Sequence, residues 1–127
     1  MTEGFWGMGR MAARSARLLL DAKDAHGAVN RAYFAMFHTA RAALAHADPE
    51  LSRTKRHATV ISRFGRHMVK ERGLNPMLGR AFSLAFDMRT IADYEPVAVD
   101  PREAEELIET AEGFLAALTA YAEEKSE

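Results

Sequence analysis

The run "DPREAEELIETAEGFLAALTAYAEE", residues 100–124, decides how the rest of the chain is read. It carries a complete helix start. Asp100 stands at the capping position, where a carboxylate can accept from the unpaired N–H groups of a first turn. Pro101 follows at the first helical position, where a missing N–H does no harm. Glu103, three after the cap, adds negative charge at the positive end of the helix dipole. From there Ala104, Leu107, Ile108, Ala111, Phe114, Leu115, Leu118 and Tyr121 recur at helical steps, giving an apolar stripe that runs to about Glu124.

The same period recurs four more times upstream. One segment spans about Met8 to Lys23, centred on "ARLLLDA". "DAHG" (24–27) reads as its break, with Gly27 as the flexible point. A second segment covers about Ala28 to His46, with Ala32, Ala35, Met36, Thr39, Ala43 and Leu44 in register and Tyr33, Phe34 and Phe37 widening the stripe. "ADPELSRTK" (47–55) is a loop. A third segment runs from about Lys55 to Arg72, with Val60, Ile61, Phe64 and Met68 aligned, and ends at "RGLNP". The fourth, about Met77 to Ala92, aligns Leu78, Ala81, Phe82, Ala85, Met88 and Ala92. β-branched alternation is scarce. Five amphipathic segments joined by short connections predict an all-α, antiparallel up-and-down bundle of four to five helices, one domain over residues 1–127.

Composition narrows the chemistry. At 127 residues and 48% apolar, the chain can bury one core. It has no cysteine, which excludes disulfides, a thiolate metal site and a cysteine nucleophile. No apolar run reaches membrane-spanning length, and "MTEGFWGMGR" lacks the basic start and apolar core of a signal peptide. A soluble, cytoplasmic protein without membrane contact is expected. Residues 1–93 hold 15 Lys and Arg against 8 Asp and Glu, whereas residues 94–127 hold 2 against 10. A basic body therefore carries an acidic last helix, most simply neutralising it in cis.

The five histidines show no metal-binding spacing, so no metal is expected. No glycine-rich phosphate loop or nucleophile elbow is present, and no cofactor is expected. Two stretches remain. In "RTKRHATVISRFGRHMVKER" (53–72), Arg56, Arg63, Arg66 and Lys70 are spaced by seven, three and four, a cationic flank able to hold RNA phosphates or an ordinary solvated face. In "RTIADYEP" (89–96), Arg89 and Asp93 share a helix face four residues apart, Tyr94 follows, and the chain breaks at Pro96. This is a phosphate site built on Arg89 or a helix end tied by an ion pair.

"AVNRAYFAMFHTARAAL", "KRHATVISRF", "RTIADYEP" and "EAEELIETAEGFLAALTAY", in that order, resemble the HEPN superfamily. The closest likeness is to its small stand-alone bacterial and archaeal proteins. The resemblance covers roughly residues 10–122. The signature has N-R-A-Y-Y-A-x-F-H, H-x-x-V-x-x-x-F and R-x-x-A-D-Y; Phe34 departs from it, standing where a second tyrosine is usual.

The resemblance implies a helical bundle that dimerises. It further implies the metal-independent RNase motif R-x(4–6)-H near a helix end, two copies of which meet across a dimer. Arg89 matches the motif arginine, and Tyr94 stands where the histidine would fall. A phenol, with an ordinary pKa of about 10, is a poor base at neutral pH but can donate a hydrogen bond. The expected function is an RNA- or nucleotide-binding HEPN module, the toxin-like member of a toxin–antitoxin pair with a minimal nucleotidyltransferase as antitoxin. Were it a ribonuclease, Arg89 would stabilise the phosphorane, Asp93 would hold Arg89, Tyr94 would donate or orient, and His57 would be the base. The alternative is a non-catalytic interaction or homodimerisation module, with Arg89, Asp93 and Tyr94 forming a structural network.

Overall fold

A computed structural model describes residues 3–126 as helices α1 (Glu3–Asp21), α2 (Ala25–Ala47), α3 (His57–Arg63), α4 (Pro76–Tyr94) and α5 (Pro101–Lys125). They form an antiparallel up-and-down bundle, with no strand among the described residues. Helix α2 is its axis, touching each of the other four. A helix apolar around most of its circumference must be wrapped by neighbours, and Val29, Tyr33, Met36, Phe37 and Leu44 are all buried there. Small residues let the neighbours come close. At Gly9 of α1 a β-carbon would stand 2.4 Å from the Thr39 hydroxyl and 3.2 Å from the Ala35 carbonyl oxygen. The far side of the core is an aromatic triangle of Phe64, Phe82 and Phe114, with ring centroids 5.3–5.8 Å apart.

The α1–α2 connection differs from the expected break at Gly27. α1 ends with the N–H of Asp24 on the Leu19 carbonyl and that of Lys23 on the Leu20 carbonyl, the double closure of a Schellman motif. Lys23, not a glycine, holds the left-handed position at φ 68°. Asp24 then caps α2 by accepting from the Gly27 N–H at 2.8 Å. A β-carbon at Gly27 would meet that carboxylate at 2.4 Å, so this glycine clears room for a cap. "DAHG" is thus a cap and a first turn, and His26 is helical.

The third segment also differs from one regular helix. α3 passes at Phe64 into a π-helical stretch to Lys70. Its core residues Val60, Phe64 and Met68 keep a strict four-residue repeat, which oversteps a turn of about 3.6 residues. A wider turn lets all three face inward, and all three are fully buried. "ADPELSRTK" contains a 3-10 turn, Pro49–Ser52. At α5 Asp100 accepts from the Arg102 N–H at 2.9 Å with Pro101 in the first turn, as the sequence predicts. Arg17 of α1 pairs with Glu112 of α5 at 2.8 Å and also contacts Glu105, so the basic body and acidic helix meet in cis at this point.

Candidate functional site

The last turns of α4 carry Arg89 and Asp93 on one flank, as their four-residue spacing requires, against the first half of α2. The Arg89 guanidinium lies over aromatic rings, 5.0 Å from the Tyr33 centroid and 5.6 Å from those of Phe34 and Phe86. A planar, weakly hydrated cation suits such a shelf. Its side chain is only 13% exposed. Nη1 donates to Asp93 Oδ2 at 3.2 Å. Nε is buried and has no partner among the described residues.

The other oxygen of Asp93 meets Nε2 of His26 at 3.1 Å. One carboxylate therefore holds an arginine from its own helix and a histidine from α2. Burial pushes the Asp93 carboxyl up, but the hydrogen bonds and charges of His26 and Arg89 outweigh it and hold it below its usual range. The His26 side chain is 55% exposed, so this end of the cluster is open to solvent.

Beneath Arg89 the surroundings are apolar and favour neutral groups. The Tyr33 hydroxyl and His57 Nδ1 share a hydrogen bond at 2.5 Å. The His57 ring stacks on Phe37 at 4.4 Å. Burial pushes the Tyr33 phenol up, against the opposing charge of Arg89. Burial, then the Arg89 charge, pushes the His57 imidazole down. His38, packed on Phe34 and Phe37, is pushed down to about 4, by burial first and then by Arg31, Arg41 and His57.

The structure brings Arg89 and Asp93 into contact and sets His57 in the layer below, linked through Tyr33. Tyr94 lies outside the cluster, 76% exposed and without a hydrogen bond from its hydroxyl among the described residues. Phe34, at the position of the missing tyrosine hydroxyl, forms part of the shelf and also carries the Arg31 guanidinium at 4.9 Å. His26 was not singled out by sequence reasoning. Nothing in the spacing links residue 26 to residue 93; the available signal was Asp24, which as a cap puts His26 in the first turn of α2.

The basic run is divided by the change of helix type. Arg56 is exposed ahead of α3. Arg63 donates to the Leu51 carbonyl at 3.0 Å, tying down the 3-10 turn. Arg66 and Lys70 are exposed and line a shallow depression of about 420 Å³ with Arg80 of α4, over Gly65, Val69 and Gly79. Glu71, the run's one acid, binds His67 at 2.8 Å and lies 3.8 Å from both Arg66 and Arg72. Among the described residues no three His, Cys, Asp or Glu side chains are grouped to hold a metal ion, and no helix is long and apolar enough to cross a membrane.

The family model described as HEPN domain matches residues 4–123. A protein of Methanocaldococcus jannaschii named "Putative toxin" is 36% identical over 101 residues, covering 80% of this chain and 73% of its own length. A protein of Thermotoga maritima named "UPF0332 protein" is 36% identical over 104 residues, covering 81% of this chain and 76% of its own.

Proposed function

The chain belongs to the HEPN family, and from that premise we propose that it is a toxin-like protein that engages RNA at Arg89 and cuts it without a metal ion. The state of Arg89 carries this reading. Its side chain is mostly buried, and among the described residues its one carboxylate partner is shared with His26 and its guanidinium is not fully paired. Buried donors nearly always have partners. Nη2 makes no hydrogen bond among the described residues and is not among the buried atoms, so this guanidinium, at a helix end beside a loop, is suited to an acceptor from outside, and an RNA phosphate oxygen fits its charge and fork. A guanidinium held in place gains most as charge builds on a phosphorane, which is how it would lower the barrier. The depression lined by Arg66, Lys70 and Arg80 supplies a second place for the backbone of a bound strand. The relative from M. jannaschii supports the toxin-like assignment by its name, and the pairing with a minimal nucleotidyltransferase antitoxin follows from the same reading.

The working unit in this reading is a homodimer joined through α4. Met77, Ala81, Leu84, Met88 and Ile91 follow a four-three-four-three repeat, the seam of two helices packed together. Ala81 and Met88 pack partly against the core, whereas Met77, Leu84 and Ile91 are 59%, 62% and 52% exposed, an apolar row left open to a second helix. Arg89 lies between Met88 and Ile91 in sequence, which sets the site at the edge of the seam.

One observation favours a second reading, a non-catalytic interaction module. Tyr94 at the end of α4 and Val97 just beyond it are exposed and add to the apolar surface instead of joining Arg89. Expression in a bacterial host separates the two. The proposed function predicts growth arrest by the wild type and normal growth with Arg89→Ala at equal protein level. Equal arrest by both would leave the surface, not the arginine, as the active feature.

A further inference from the structure

We propose that His26 is the proton-transfer residue of the Arg89 site, with Asp93 as the residue that orients it. The assignment rests on the RNA-cleaving reading above and supplies the group that reading lacks. Arginine stabilises charge but does not exchange protons at neutral pH. Tyr94 is exposed and bonds nothing in the cluster among the described residues, and the Tyr33 phenol is buried. A cleavage site on Arg89 therefore needs a base from elsewhere in the fold.

The five histidines differ in what holds them. His57 is engaged through Nδ1 by Tyr33 and sandwiched among aromatic rings. His38 is packed on Phe34 and Phe37 with its Nδ1 buried. His46 bonds Ser126 of α5, and His67 bonds Glu71 beyond α3. Among the described residues only His26 shares a carboxylate with Arg89. Its Nε2 meets one oxygen of Asp93 while Arg89 holds the other, so imidazole and guanidinium stand side by side. Nδ1 of His26 makes no hydrogen bond among the described residues, and half the side chain is open to solvent. An ionised Asp93 accepts from Nε2–H and so leaves the lone pair on Nδ1. This is the logic by which a carboxylate fixes the tautomer and aim of a catalytic histidine.

The substrate is an RNA strand with a ribose 2′-hydroxyl at Nδ1 and the adjacent phosphate towards Arg89. Nδ1 takes the 2′-hydroxyl proton as the 2′-oxygen forms its bond to phosphorus. The bond from phosphorus to the 5′-oxygen breaks, and that oxygen takes a proton from water. The protonated imidazole then returns its proton to solvent. The products are a 2′,3′-cyclic phosphate and a 5′-hydroxyl end, with no net change in protons or electrons.

The test uses the purified full chain and an end-labelled RNA oligonucleotide, beside the same oligonucleotide carrying 2′-deoxyribose at the cut position. His26→Ala should cut at least about 100-fold more slowly, the lower range for loss of a general base. Added imidazole should restore part of that rate, and the deoxy substrate should stay intact at that position. His26→Gln, which keeps a hydrogen-bond donor for Asp93, should melt like the wild type and remain slow. If the wild type cuts and His26→Ala cuts equally, this assignment falls while the RNA-cleaving reading stands. A slow His26→Ala that imidazole does not restore, together with an active His26→Gln, marks His26 as a structural support and also overturns it. A wild type that cuts no RNA overturns both.

Discussion

At the scale of single residues, burial sets the charge states beneath the site. His38 takes up a proton near 6.5 in the unfolded chain but only near about 4 when folded. Between those values the unfolded chain binds more protons, so stability rises with pH. The contribution is fully present above about pH 6.5 and is lost as pH falls towards 4. His57 is shifted in the same direction by burial and the Arg89 charge, and adds a slope of the same sign. After allowance for partial exposure the loss from His38 is roughly 2 kcal/mol. Asp93 acts at lower pH: its carboxyl is held below 3.8, so its contribution persists above that value and disappears only in stronger acid. Denaturant unfolding from pH 7 to 4 should show the histidine slope, and His38→Leu should flatten it. A wild-type stability that does not change across that range would contradict the buried, neutral shelf.

At the scale of elements, two junctions make opposite predictions. Lys23 occupies a left-handed position where a β-carbon costs about 1 kcal/mol, so Lys23→Gly should raise the melting temperature. Gly9→Ala should lower it, because its β-carbon would collide with Thr39 and press on the Ala35 carbonyl, forcing α1 off α2 at about 1–3 kcal/mol. Gly113→Ala is the control: a β-carbon there meets nothing within 4 Å, and the helix gains about 0.5–1 kcal/mol. These junctions also mark what the sequence made legible. The α5 cap was readable because Asp100, Pro101 and Glu103 are consecutive local signals. The α1–α2 turn was misread because a lysine holds the position that glycine usually marks. The π-helical stretch was missed because its cause, a four-residue repeat of core residues, looks like ordinary helix when only buried positions are compared. That stretch alters the binding prediction too. Arg66→Ala with Lys70→Ala should reduce the salt slope of single-stranded RNA binding by about 1–1.5. Arg63→Ala should instead loosen the 3-10 turn it holds through Leu51. A double variant with the wild-type slope would remove the depression from the RNA path.

At the scale of the whole molecule, five periodic segments were enough to give the bundle, since each can bury its stripe only against the others. The site was legible in part. Arg89 and Asp93 are neighbours on one helix, and their pairing follows from spacing. His26 is 67 positions from Asp93, and only the packing of α2 against α4 brings them together. Tyr94 follows Asp93 in the chain, yet one helical step of about 100° takes it off the flank that Arg89 and Asp93 share. The exposed α4 seam predicts a dimer at micromolar concentration by sedimentation, and Leu84→Glu with Ile91→Glu should give a folded monomer. A wild-type monomer would contradict the seam. The claim that Arg89 is a working site, and not a fastener for the helix end, is tested most directly by RNA cleavage and thermal melting measured together on Arg89→Ala. Asp93 is partly exposed and keeps His26 when the arginine is gone, so it is not stranded as a buried charge would be. The account predicts lost cleavage with a melting temperature within a few degrees of the wild type. Cleavage retained, or lost only with a large fall in melting temperature, would contradict it.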